Sequence, residues 1–247
     1  MRYFLEVAYN GQNYAGFQIQ ENAETIQQEA EKALAIFCKM PIGLSGSSRT
    51  DAGVHARQNY FHFDADIELN IKHLYSLNAL LPPAIAAISI RKMPDDAHCR
   101  FHAKSRLYKY YICASKNPFY LDRAWHYPYP ISIDVLNNVA GMLLGQQNFT
   151  SFCKRNTQVK SMICTLTQSH WAYEGDLLVY TVQGNRFLRG MVRGLVATML
   201  RAGRGKLTVD AFAQLFASHN SVKADFGAPA HGLFLEKVFF KDGYFGE

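Results

Sequence analysis

No two of the five cysteines (Cys38, Cys99, Cys113, Cys153 and Cys164) stand close enough to make a CxxC pair. Neither a disulfide framework nor a zinc-finger spacing can be read, and all five are expected as reduced thiols. No run approaches the roughly 18 apolar residues that span a bilayer. The opening MRYFLEVAYNG alternates like a strand where a secretory signal would carry an unbroken apolar core. A cytoplasmic protein with no membrane attachment is the expectation. The nine histidines include no HExxH, and His98 with His102 falls in a stretch read as a loop, so no metal is expected. A dinucleotide GxGxxG is missing. AGRGKLT resembles a phosphate loop only in part, because no glycine stands five residues before Gly205 and Leu207 follows Lys206. No cofactor is expected, and there is no low-complexity segment.

What is present suits a globular chain. Its 247 residues, 49% hydrophobic and 19% charged, can bury a sizeable core as one large domain or two small ones. Lys and Arg number 26 against 20 Asp and Glu, giving +6 and a pI near 9.0. That balance favours a polyanionic partner without requiring one.

Period-two alternation over 2–9 and the turn Asn10-Gly11 mark a first strand. Thr25 with Gln28 three residues on reads as a capping box for a helix over about 25–38, carrying Ile26, Ala30, Ala33, Leu34 and Phe37. Strands are expected over about 42–49 and 58–64. A helix runs from Asn70 to a stop at Pro82-Pro83, and a last strand covers 85–92. The order is βαββαβ, a ferredoxin-like unit. It repeats, with a strand at 107–114, a helix capped by Ser132, and a hairpin turning at Glu174-Gly175-Asp176. A helix over about 186–203, a short helix capped by Thr208 and a strand over 232–240 follow. The fold expected is α+β: two ferredoxin-like halves, 1–104 and 105–247, related by a pseudo-twofold axis and forming a joint sheet with a central cleft.

Three constellations could carry chemistry. In SSRTDAGVHA, Asp51-Ala52-Gly53 reads either as a turn with aspartate in its usual place or as an aimed carboxylate. The neighbours Arg49, His55 and Arg57 bring more charge than a turn needs, and an arginine-held carboxylate suits a nucleophile or base. On the 186–203 helix, Arg186, Arg189, Arg193 and Arg201 fall near one another with no acidic partner, so the stripe reads as a phosphate-facing wall over a merely solvated face. In SRLYKYYI, alternation puts Arg106, Tyr108 and Tyr110 on one face, where the rings could stack on bases or simply fill a core.

These segments resemble the TruA-type tRNA pseudouridine synthase family. YNGQNYAGFQIQ, Thr25-Ile26-Gln27, RTDAGVHA, RFHAKSRLYKYYI, FLRGMVRGLV and APAHGLFLEKVFF match its motifs in order. The resemblance implies a tRNA-modifying isomerase that acts as a homodimer without cofactor, on uridines 38, 39 and 40 of the anticodon stem-loop. It implies Asp51 as catalytic carboxylate, with Tyr108 and Arg193 at the active site. Arg49, His55, Arg57, Arg106, Arg186, Arg189 and Arg201 are the expected RNA contacts. Ser48, Gln58 and Asn59 depart from the family pattern around the motif. The alternatives are a non-catalytic RNA-binding module of ferredoxin-like type and a metal-dependent hydrolase.

Overall fold

The computed structural model describes residues 1–154, 159 and 161–246. In chain order the elements are β1 (Arg2–Tyr9), α1 (Ile26–Cys38), β2 (Ser45–Gly46), β3 (His55–Asp64), α2 (Leu74–Leu80) and β4 (Ile85–Met93). There follow β5 (Ser105–Cys113), β6 (Trp125–His126), α3 (Ile133–Gly141), β7 (Gly145–Asn148), β8 (Ile163–Glu174) and β9 (Leu177–Gly184). The chain closes with α4 (Met191–Gly203), α5 (Val209–Ala217) and β10 (Leu233–Phe239). The class is α+β. Two compact units form, one of Met1–Ser105 together with the chain from Phe234 onward, the other of Arg106–Leu233.

In the first unit β1 lies between β3 and β4, antiparallel to both. The far edge of β3 is shared, with β2 against Phe61 and His62 and β10 running parallel against His55 and Ala56. α1 begins where the Thr25 hydroxyl accepts from the Gln28 N–H, and it buries Ile26, Ala30, Ala33 and Leu34. α2 is tied to β4 through Asn78, whose amide donates to Ala87 O at 2.9 Å and accepts from Ala87 N–H at 2.8 Å. Alternation put Tyr3, Leu5, Val7 and Tyr9 on the buried side of β1, yet Phe4 is equally buried. The chain's end explains it: Phe240, Tyr244 and Phe245 cover Phe4 at ring distances of 5.9, 6.1 and 6.3 Å.

The second unit orders its strands β5-β9-β8-β7, all antiparallel, with β6 parallel to β5. Gly175 at φ 59° makes the two-residue turn of the β8–β9 hairpin. α3, capped by Ser132, is tied to β8 by the device seen at Asn78. Asn137 donates to Trp171 O at 3.0 Å and accepts from its N–H at 2.8 Å. All five cysteines are free and buried. Among the described residues no helix is long and apolar enough to cross a membrane.

Three expectations need correction. The strand expected over 42–49 shrinks to Ser45–Gly46, because α1 takes the backbone groups a ladder would use: Glu31 accepts from Leu44 N–H at 2.9 Å and Gln27 donates to Leu44 O at 2.8 Å. β3 starts at His55 instead of 58, since β1 and β10 both pair with Ala56. The helix expected over 186–203 starts only at Met191. Gly190, at φ 71°, holds the left-handed conformation that breaks a helix, and the Lys154 side chain packs where a Cβ would sit, 2.9 Å from Cγ. Arg186 and Arg189 therefore lie in the preceding loop, and the four arginines do not form one helical stripe.

His62, on β3, is buried with Nδ1 3.2 Å from Cys99 Sγ and its ring 4.3 Å from that of His98. Burial, with the charges of His98 and Arg2, pulls its pKa from 6.5 down to about 4. The unfolded chain therefore takes up this proton more readily than the folded one. Stability is complete above about pH 6.5 and is lost as pH falls towards 4, by on the order of 3 kcal/mol. Urea unfolding between pH 7.5 and 5 should show a falling midpoint, and His62→Gln should flatten that fall.

Candidate active site

Asp51 sits at the first position of a tight turn. Val54 N–H donates to Asp51 O at 3.1 Å, and Gly53 supplies the φ of 77° that the turn requires. The loop around it, 47–54, has little regular structure of its own. It is held from two sides instead. On one side the 11–17 segment supplies backbone bonds: Phe17 N–H donates to Thr50 O at 3.1 Å and Gly53 N–H to Tyr14 O at 3.3 Å. A Cβ at Gly11 would collide with the Val54 carbonyl, so this approach requires glycine.

On the other side β3 supplies a buried side-chain chain. Asn59, fully buried, donates its amide to Ser48 O at 2.8 Å and to Tyr9 OH at 3.2 Å, while its carbonyl accepts from Tyr60 N–H at 2.9 Å. Tyr9 OH in turn meets Thr50 Oγ1 at 2.8 Å. Ser47 N–H donates to Tyr60 O at 2.7 Å. The backbone immediately before Asp51 is thus fixed through residues 48 and 50, while Asp51 itself stays only half-buried. Ser48 and Asn59, two of the departures from the family pattern, bond to each other.

The charged neighbours read from the sequence take separate places. His55 is buried, accepts from Gly11 N–H at Nδ1 (3.2 Å) and stacks on Phe234 at 4.5 Å. It acts there as a fastener between the 11–17 segment and β10. Arg57 is exposed and reaches Glu236 at 3.2 Å, its guanidinium 5.6 Å from the centre of the Phe234 ring. Arg49 is exposed at the mouth of a cavity.

In the second unit Tyr108 pairs with Val182 across the β5–β9 ladder, is 8% exposed, and meets Phe187 edge-on at 4.9 Å. Arg106 donates to Asn185 O at 3.1 Å. Arg193 stands in the first turn of α4 and donates Nε to Ala228 O at 2.7 Å, which fixes the plane of its guanidinium. Tyr110 is fully buried and donates to the next carbonyl, Pro229 O, at 2.8 Å. Burial pushes the Tyr110 phenol far up, so it stays a neutral donor. Two neighbouring carbonyls of the Ala228–Gly232 segment are therefore gripped by β5 and α4. That role for Tyr110 was not readable from alternation, which left core and stacking open. Arg189 is exposed, its carbonyl accepting from Lys154 N–H at 3.0 Å, and Arg201 lies in the last turn of α4. His98 and His102 are occupied locally: His98 Nδ1 accepts from Arg100 N–H at 3.2 Å, and His102 Nδ1 lies 2.6 Å from Tyr244 OH.

A family model described as tRNA pseudouridine synthase matches residues 139–241. The chain is 40% identical over 246 residues to the tRNA pseudouridine synthase A of Parabacteroides distasonis, covering 99% of this chain and 98% of that one. Similar matches cover 100% of this chain and 93% of the Bacteroides thetaiotaomicron protein of the same name at 41% identity, and 98% and 93% for that of Staphylococcus aureus at 39%. The chain belongs to the tRNA pseudouridine synthase A family. The family model spans Arg193 and the Ala228–Pro229 carbonyls, whereas the Asp51 loop falls within the reach of the end-to-end relatives alone.

Replacing Asn59 by alanine removes its buried bonds to the Ser48 carbonyl and the Tyr9 hydroxyl, and is expected to cost about 1–3 kcal/mol. Arg57→Ala removes an exposed ion pair and should cost less than about 1 kcal/mol. Urea unfolding of both variants beside the parent checks the ranking.

Proposed function

We propose that this chain isomerises uridine to pseudouridine on the 3′ side of the tRNA anticodon stem-loop, with Asp51 as the catalytic carboxylate. The observation that carries this reading is the loop itself: a half-buried aspartate whose flanking backbone is fixed by bonds from two separate segments. A turn needed only for chain reversal has no use for such bracing. Family membership supplies the reaction class, and the charge of +6 suits a polyanionic substrate.

The reaction breaks the bond from C1′ to N1, turns the base over, and bonds C1′ to C5. The proton on C5 leaves and N1 gains one, so the change is an isomerisation with no net redox step. It needs a uridine drawn out of its stack, a carboxylate at the sugar and base, and a surface that retains the freed uracil. Asp51 serves either as nucleophile towards carbon or as the base that removes a sugar proton. Tyr108 is the platform for the uracil ring, and Arg193 is the basic residue that takes part in the reaction. Arg106, Arg186, Arg189 and Arg201 hold backbone phosphates, which positions the RNA without reading its sequence. The active form is a homodimer in the cytoplasm.

Asp51→Ala should form no pseudouridine on an unmodified tRNA transcript while binding it with the parent's affinity, as read by chemical mapping of each uridine and by filter binding. Turnover in that variant would end the assignment. Arg189→Ala should weaken binding and reduce the slope of log K against log salt by about 0.7–0.9; an unaltered slope would return Arg189 to the solvated surface.

A further inference from the structure

Beside the Asp51 loop, the first unit holds a cavity of about 210 Å³ lined by Gln18, Gly46, Arg49, His98, Arg100 and Phe101, among others. It is smaller than the roughly 300 Å³ at which pockets for drug-sized ligands begin. Its size suits one planar group. Phe101 is 73% exposed, although Phe4, Phe17, Phe61 and Phe63 of the same unit are all buried. The turn that carries this exposed ring is tied down by bonds to its backbone.

The turn that presents it is anchored by its flanks. Ala97 and Cys99 are buried, and Cys99 Sγ donates to Ser45 O at 3.2 Å, beside the cavity floor. The His98 ring then acts as a cap, with Nδ1 accepting from the N–H groups of Arg100 (3.2 Å) and Phe101 (3.4 Å). His102 N–H closes on His98 O at 3.0 Å. The Phe101 ring lies 4.1 Å from the His98 ring, tilted by 36°, and the Arg100 guanidinium is 5.9 Å from its centre. A ring on a tied-down turn has less backbone freedom to lose when it binds.

A presented aromatic ring with two arginines beside a small, partly polar hollow is the arrangement that takes single-stranded nucleic acid, the ring stacking a base and the cations holding phosphate. We propose that this cavity is a nucleotide subsite for the substrate RNA: one unstacked base lies on Phe101, and its phosphate is held by Arg100 with Arg49. This rests on the reading of the chain as a tRNA-modifying enzyme. It adds a second point of grip, on residues that take no part in the chemistry assigned to Asp51.

The test uses the full chain and an unmodified tRNA transcript, with affinity measured across a range of salt, pseudouridine formation, and the thermal unfolding midpoint. Phe101→Ala should raise Kd roughly tenfold at every salt concentration without altering the salt slope or the midpoint, and Phe101→Trp should restore affinity. Arg100→Ala should weaken binding and flatten the slope by about 0.7–0.9. Parental affinity in Phe101→Ala, or no restoration by tryptophan, overturns the subsite alone provided the parent converts uridine. A parent that neither binds nor modifies the transcript overturns the enzyme reading and the subsite with it.

Discussion

The Asn59 amide is the bond on which the proposed chemistry depends. From a wholly buried place on β3 it holds the Ser48 carbonyl and the Tyr9 hydroxyl, and through Tyr9 it reaches Thr50. A loop with no ladder of its own is thereby given the precision of the sheet beneath it. Buried amides are costly to leave unpaired, and that cost keeps the arrangement single: a shift of the loop would take the Ser48 carbonyl away from the Asn59 amide. The glycine contact at Gly11 works in the opposite sense, closing the space into which the loop could relax.

Much of this architecture was legible in the sequence because local signals and tertiary demands agreed. Thr25, Ser132 and Thr208 each cap the helix that their spacing announced. The β8–β9 hairpin turns where Gly175 permits. The misread strands have one cause in common: they fall where distant residues decide local structure. Leu44 lost its place in a strand to two side chains of α1, and β3 gained its first residues by pairing with β1 and β10. Phe4 was hidden by aromatics more than two hundred positions later, which no window of alternation can contain.

The candidate site was legible unevenly. Asp51 stood out by its charged setting, yet Arg57 and His55, which drew attention to it, are engaged by Glu236, Phe234 and Gly11. The basic stripe was an artefact of extending helical spacing through Gly190, a residue whose backbone sign cannot be seen in a list of side chains. Tyr110 carried two readings of equal standing. Its hydroxyl needs an acceptor when buried, and only the fold shows that the Pro229 carbonyl provides one.

The closing strand has a bearing on synthesis. β10 lies against His55 and Ala56, and Val238 N–H donates to Gln58 across 180 residues of chain. In synthesis, Arg106–Leu233 is made before β10, the strand that completes the edge of β3 in the first unit. The first unit therefore stays incomplete, and the edge of β3 next to Asp51 stays open, until β10 has been added. A nascent chain holds every side chain proposed for the chemistry well before it holds the strand that pairs with β3 next to the Asp51 loop.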